Sequence, residues 1–133
     1  MPHYFTREEA EALLPVVAPI LRRIQEQRSK LREGEERAHA VRLRIIKNGH
    51  DINKTMMEIQ RAQVLHLQRL QEALAQLSEL GCELKDPDIG LIDFLSLRDG
   101  REVYLCWRLG EERIKYWHPL DAGFQGRRPL DEE

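Results

Sequence analysis

Three apolar runs, residues 91–97, 102–109 and 113–118, lie close together in the chain. They are separated by Arg98-Asp99-Gly100-Arg101 and by Gly110-Glu111-Glu112. Asp-Gly between apolar runs is a strong hairpin signal, because a two-residue type I′ turn needs positive φ at both central positions. Such a turn sets Arg98 opposite Arg101, and so Phe94 opposite Leu105 and Asp93 opposite Cys106. The region 86–121 is therefore expected to be a three-stranded antiparallel meander. The second turn can be Gly110-Glu111 or Glu111-Glu112, and in either register Val103, Leu105, Trp107 and Leu109 are expected to share a face with Ile114, Tyr116 and His118, since side chains alternate along a strand. Asp93, Tyr104, Cys106, Arg108, Lys115 and Trp117 then form the opposite, mixed face.

An apolar sheet face has to be covered, and residues 6–80 supply the cover. Thr6-Arg7-Glu8-Glu9 is a capping box. Behind it, Ala10, Leu13, Val17, Ile20 and Ile24 recur at helical spacing. Pro15 and Pro19 lie too deep for first-turn prolines, so a kink or break is expected near them. The pattern continues through Gln27, Leu31, Gly34, Ala38, Val41 and Ile45, a helix of about 60 Å if unbroken. Asn48-Gly49-His50-Asp51 reads as a stop followed by a new N-cap. A second helix then runs to Leu80, with Met56, Leu67, Leu70, Leu74 and Leu77 assigned to its seam and Gln60 and Gln63 interrupting it. Folding back near residue 49 brings Ile24 beside Ala75 and Ala38 beside Gln60.

The expected fold is α+β, one domain over 1–133. A long antiparallel helical hairpin (6–80) packs its base on the meander (86–121), and a loose tail (122–133) follows. The outer half of the hairpin spreads Ile52, Met57, Ile59, Val64 and Leu65 beyond a single stripe. A homodimer through the helices would cover them.

Composition narrows the partners. The formal charge is −2 with 33% charged residues, and the pI of about 6.2 gives no basic field for nucleic acid. No apolar run approaches the roughly 20 residues of a membrane span. Cys82 and Cys106 follow no secretory signal and are expected to be reduced thiols in the cytoplasm.

No complete catalytic constellation stands in the sequence. Glu36-x-x-His39 has di-iron spacing, but it falls with Glu58 on the outward side of the seam. Cys106 beside Asp93 is a poor nucleophile, because a neighbouring carboxylate raises a thiol's pKa. His118, with Asp121 or Asp88 where the chain leaves and enters the sheet, could hold a divalent metal or form an acid–base pair; alternatively His118 closes the core edge on a backbone carbonyl. Arg98, Arg101, Arg108, Arg113, Arg127 and Arg128, with Trp107, Trp117 and Tyr116, could bind a small anion or an acidic peptide.

Tyr4-Phe5-Thr6, Leu13-Leu14-Pro15, Gly90-Leu91-Ile92-Asp93-Phe94, Gly100-Arg101-Glu102-Val103-Tyr104-Leu105-Cys106-Trp107, Tyr116-Trp117-His118 and Gly126-Arg127 resemble the bacterial and archaeal family catalogued as domain of unknown function 2203. The resemblance spans nearly the whole chain and implies a small cytosolic protein with no assigned activity. It directs attention to the sheet end, to Asp93, Arg101, Cys106, Trp107 and Arg127 as ligand-binding candidates and to His118 with Asp121. Two functions remain open: a non-enzymatic interaction or ligand-binding protein, and a small hydrolase or metal-dependent enzyme using His118 with Asp121 or Asp88.

Overall fold

The computed structural model describes residues 2–45 and 52–131. Helix α1 spans Arg7–Ile45 and helix α2 spans Ile52–Glu79. Strands follow at Cys82–Asp86 (β1), Leu91–Arg98 (β2), Arg101–Arg108 (β3), Tyr116–Pro119 (β4) and Arg128–Pro129 (β5), with a single 3₁₀ turn at Phe124–Gly126. The five strands form one antiparallel sheet in sequence order. The class is α+β with a helical hairpin, as the periodicities predict. The sheet, however, has five strands rather than three.

The capping box forms as the sequence predicts: the Glu9 amide donates to Thr6 Oγ1 at 3.1 Å, and Glu9 Oε1 accepts from the Thr6 amide at 3.0 Å. Pro15 and Pro19 do not break α1. Val17, Ile20, Leu21 and Ile24 are buried around and beyond the prolines, so core packing holds together a segment that local propensity would end. The hairpin is antiparallel in close to the expected register, with Arg23 donating to Gln76 Oε1 at 2.9 Å. The stop at Asn48-Gly49-His50-Asp51 lies outside the described residues.

The seam of α2 differs from the expected one. Ile59, Ala73 and Leu77 are buried, while Leu67 and Leu74 are 46% and 39% exposed. The stripe against α1 is Met56, Ile59, Gln63, His66, Leu70, Ala73 and Leu77, an unbroken 3-4 spacing. Its polar members have partners. Gln63 Nε2 donates to Leu31 O at 2.9 Å, and His66 Nδ1 meets Gln27 Oε1 at 2.7 Å. A seam that mixed these positions with Leu67 and Leu74 favoured apolarity over phase.

Halfway along the hairpin the core changes hands. Near the base, Val17, Leu21, Ile24, Ala73 and Leu77 pack with Ile92, Phe94, Leu105 and Trp107 of the sheet and with Ile114 of the loop between β3 and β4. Toward the tip, among the described residues, Ala38, Val41 and Ile59 are buried together, with Ile52 and Met56 partly buried against them. The tip is thus an arm that leaves the sheet behind. No described helix is long and apolar enough to cross a membrane.

Residues 122–131, expected to be loose, are tied down. Leu130 N donates to Lys115 O at 2.8 Å, and Arg128 pairs with Trp117 across the sheet.

A buried carboxylate, thiol and imidazole on the outer sheet face

The first hairpin has the register that its turn dictates. Asp99 and Gly100 have φ of 52° and 78°, Arg98 faces Arg101, and Asp93 faces Cys106. The second connection is different. Cys106 pairs with Tyr116 and Tyr104 with His118, a register that an odd-numbered connection produces and a two-residue turn cannot. Shifting a strand by one residue moves all its side chains to the other face. Tyr116 and His118 therefore join Asp93, Tyr104 and Cys106, while Trp117 joins Leu105 on the helix side. The expected face assignment of the third strand is reversed.

Glu111 accounts for the longer connection. Its carbonyl accepts from Trp107 Nε1 at 3.0 Å, and its carboxylate accepts from the Arg108 amide at 2.7 Å and from Arg127 Nη2 at 2.7 Å. These bonds fold residues 109–115 outward as a loop, and Ile114 drops back into the core.

The consequence is a cluster: His118, expected on the opposite face, joins Asp93 and Cys106, which the first hairpin sets side by side as expected. Asp93, Cys106 and His118 are 1%, 0% and 3% exposed, and one ligand-type atom from each lies within 4.8 Å of the others. His118 Nε2 is 2.9 Å from Asp93 Oδ2. His118 Nδ1 is 2.8 Å from Pro119 O; a carbonyl can only accept, so Nδ1 carries a hydrogen and Nε2 is the nitrogen turned to the carboxylate. Asp93 Oδ1 is buried with no well-formed hydrogen bond among the described residues, and the Cys106 thiol is the carboxylate's other near neighbour.

Burial dominates the electrostatics. It pushes the Asp93 carboxyl above the usual carboxylate range, against the opposing pull of the His118 hydrogen bond. Burial, with Asp93 adding to it, pushes the Cys106 thiol up to about 12. A thiol so held is not a nucleophile at neutral pH. The lid over this face is aromatic and cationic: the Arg127 guanidinium lies 4.1 Å from the Tyr116 ring and 4.6 Å from the Phe124 ring, and Arg127 Nη2 reaches Cys106 O at 3.3 Å.

The other candidate residues scatter. Trp107 is buried on the opposite face against the helices. Arg101 is exposed at the tight turn. Asp88 leaves the sheet entrance to pair with Arg28 at 3.2 Å, and Asp121 is exposed, outside the cluster that His118 forms with Asp93 and Cys106. His118 thus takes Asp93 in place of Asp121 or Asp88, because β4's reversed face points it across the sheet and not along the chain exit. Glu36, His39 and Glu58 are solvent-exposed.

A separate groove of ≈ 460 Å³ opens between the N-terminal segment and the sheet edge, lined by Tyr4, Phe5, Ser96, Arg98, Val103 and Trp117 among others. Phe5 closes one side by donating its amide to Leu95 O at 2.8 Å and accepting from Ser96 Oγ at 2.6 Å. The Trp117 ring has two guanidinium groups close to it, that of Arg98, which lines the groove, at 4.8 Å and that of Arg128, outside the lining, at 5.2 Å. Trp117 was expected on the mixed face, and the odd-numbered loop is what brings it here.

Comparison with known proteins gives no match among curated sequences and none among solved structures. Residues 3–130 match the family described as "Uncharacterized conserved protein (DUF2203)", and the chain belongs to that family.

Proposed function

We propose that this is a non-enzymatic binding protein that takes a small molecule with an anionic head and an apolar body at its sheet end. The observation that carries the reading is the groove. Its volume falls in the range of small-molecule sites, its walls include Phe5, Val103, Leu105, Leu130 and Arg98, and the Trp117 ring carries a second guanidinium, that of Arg128, at the margin of the groove. Among the described residues neither Arg98 nor Arg128 has a carboxylate in ion-pair range, so an incoming carboxylate or phosphate meets two unneutralised cations. The buried, strongly basic Cys106 thiol supports binding over nucleophilic catalysis.

Titration with octanoate, followed by tryptophan fluorescence, tests this. Saturable quenching is expected for the wild type, weakened at least about tenfold in Arg98→Ala and Arg128→Ala, a loss of about 1.4 kcal/mol, and absent in Trp117→Phe. Octanol, which keeps the body without the charge, should bind more weakly. No saturable change, or equal binding by both arginine variants, would remove the groove from consideration.

A specific observation favours dimerisation through the arm. Next to its α1-facing seam, α2 carries a second 3-4 stripe: Met57, Gln60, Val64, Leu67, Gln71 and Leu74. Met57 and Val64 are 51% and 58% exposed. The stripe is palindromic. A second copy related by a twofold axis between Leu65 and His66 sets Met57 against Leu74, Gln60 against Gln71 and Val64 against Leu67, so every apolar layer meets an apolar layer and the glutamines meet each other. Two such hairpins form an antiparallel four-helix bundle with the sheets at opposite ends. Sedimentation of Val64→Glu/Leu67→Glu beside the wild type tests it. A wild-type dimer and a folded monomeric variant are expected; a wild-type monomer at 100 µM or so would overturn the assembly.

A further inference from the structure

We infer that Asp93, Cys106 and His118 form a buried site for a transition-metal ion of the zinc class, independent of the groove and of the arm. Three observations converge on it. The donor set, one carboxylate, one thiol and one imidazole, is drawn from β2, β3 and β4, and its ligand-type atoms lie within 4.8 Å of one another. Zinc holds such donors at about 2.0–2.3 Å in a tetrahedron, so neighbouring ligand atoms sit roughly 3–4 Å apart; the cluster needs adjustments well under the reach of a side-chain torsion. The imidazole is already oriented as a ligand: Nδ1 is fixed on Pro119 O at 2.8 Å, the outer hydrogen bond that ligating histidines make, which leaves Nε2 for the metal.

The third observation is an orphan. Asp93 Oδ1 is buried with no well-formed hydrogen bond among the described residues, on a residue that is 1% exposed and whose carboxylate has, beside His118, only the weak donor of the Cys106 thiol near it. A buried oxygen left so is destabilising, and a bound cation would satisfy the carboxylate that carries it, with three protein ligands and a fourth position left to a small ligand such as water. Among the described residues, two cations stand near the site, and each has a carboxylate partner: Arg127 pairs with Glu111 at 2.7 Å, and Lys85, which lies over the Tyr104 ring, pairs with Glu83 at 3.2 Å.

Charge balances on loading. The loaded cluster holds a thiolate, a carboxylate, a neutral imidazole and a divalent ion, so the ligands' two negative charges offset the dication and no net charge is buried; the protons displaced from the ligands leave for solvent.

Co(II) is the probe, because a cobalt–thiolate bond gives a ligand-to-metal charge-transfer absorption. The full chain, stripped with a chelator, is titrated with CoCl₂ and then back-titrated with ZnCl₂. One equivalent of cobalt with that absorption, displaced by zinc, is expected in the wild type and in Cys82→Ser, whose thiol lies on the helix side of β1. Cys106→Ser should lose the charge-transfer absorption, and His118→Ala should bind cobalt at least tenfold more weakly. No charge-transfer absorption in the folded wild type, or its survival in Cys106→Ser, overturns the inference; because the first of these needs no variant, misfolding of a mutant leaves the test intact.

Discussion

Arg7 and Asp131, 124 positions apart, form a two-point ion pair, with Nη1 to Oδ1 at 2.8 Å and Nη2 to Oδ2 at 3.2 Å. It fastens the first turn of α1 to the C-terminal segment. The Arg7 hydrogen bond holds the Asp131 carboxyl below the usual carboxylate range. A carboxyl whose pKa is lowered by folding contributes stability above its unfolded value, near 4, and loses it as pH falls through the folded value. Wild type should therefore exceed Asp131→Asn in urea midpoint at pH 7, with the gap closing below about pH 4 and shrinking in high salt because the carboxylate is exposed. A gap independent of pH would mean that the pair contributes nothing through its charge.

Glu111 holds three groups at once, and its side chain and that of Arg127 are 24% and 13% exposed. Truncation leaves a largely buried guanidinium without its carboxylate. Glu111→Ala is expected to lower stability by about 1–3 kcal/mol, discounted from the cost of breaking a fully buried pair. Glu111→Gln keeps an acceptor for the Arg108 amide and should lose less. Denaturant unfolding of the two variants would show the order; equal losses would assign the whole effect to the charge.

At Gly34 the Gln63 side chain of α2 lies directly against the α1 backbone. A Cβ there would run into the amide end of Gln63, which bonds Leu31 O at 2.9 Å. Gly34→Ala gains about 0.8–1.0 kcal/mol of helix propensity and displaces a hydrogen bond of about 0.5–1.5 kcal/mol, so its net effect should be near zero. In a Gln63→Ala background the clash is gone, and the same change should stabilise by about 1 kcal/mol. The double-mutant cycle reads this directly.

The palindromic stripe on α2 makes a geometric prediction. With the axis between Leu65 and His66, a Val64→Cys/Leu67→Cys chain should form an intersubunit disulfide on mild oxidation. Met57→Cys alone should not, because its copy lies about 26 Å away along the helix. Crosslinking by the single Met57 variant would indicate a parallel arrangement.

Local sequence was enough for several features. Asp99-Gly100 set the register that puts Asp93 opposite Cys106, because a type I′ turn leaves no freedom in pairing. The Thr6–Glu9 box set the start of α1, and the 3-4 spacing from Ala10 to Val41 set the face it buries. The edge strands β1 and β5 were less legible: Cys82–Asp86 is short and half polar, and Arg128–Pro129 has only two residues. Such segments become strands because a neighbour offers them hydrogen bonds.

What the tertiary structure decided was parity. Nothing local to residues 109–115 says whether that connection holds an odd or an even number of residues; the answer depends on Glu111 capturing Trp107, Arg108 and the distant Arg127. One residue of slip exchanges the two faces of β4, and on that exchange hang both the His118–Asp93–Cys106 cluster and the place of Trp117 in the groove. The continuity of α1 through Pro15 and Pro19 is a decision of the same kind, since burial of Val17, Leu21 and Ile24 outweighs two missing amides. Residue types and short-range spacing named the chemistry this chain carries, and long-range hydrogen bonds and packing determined which of those groups meet.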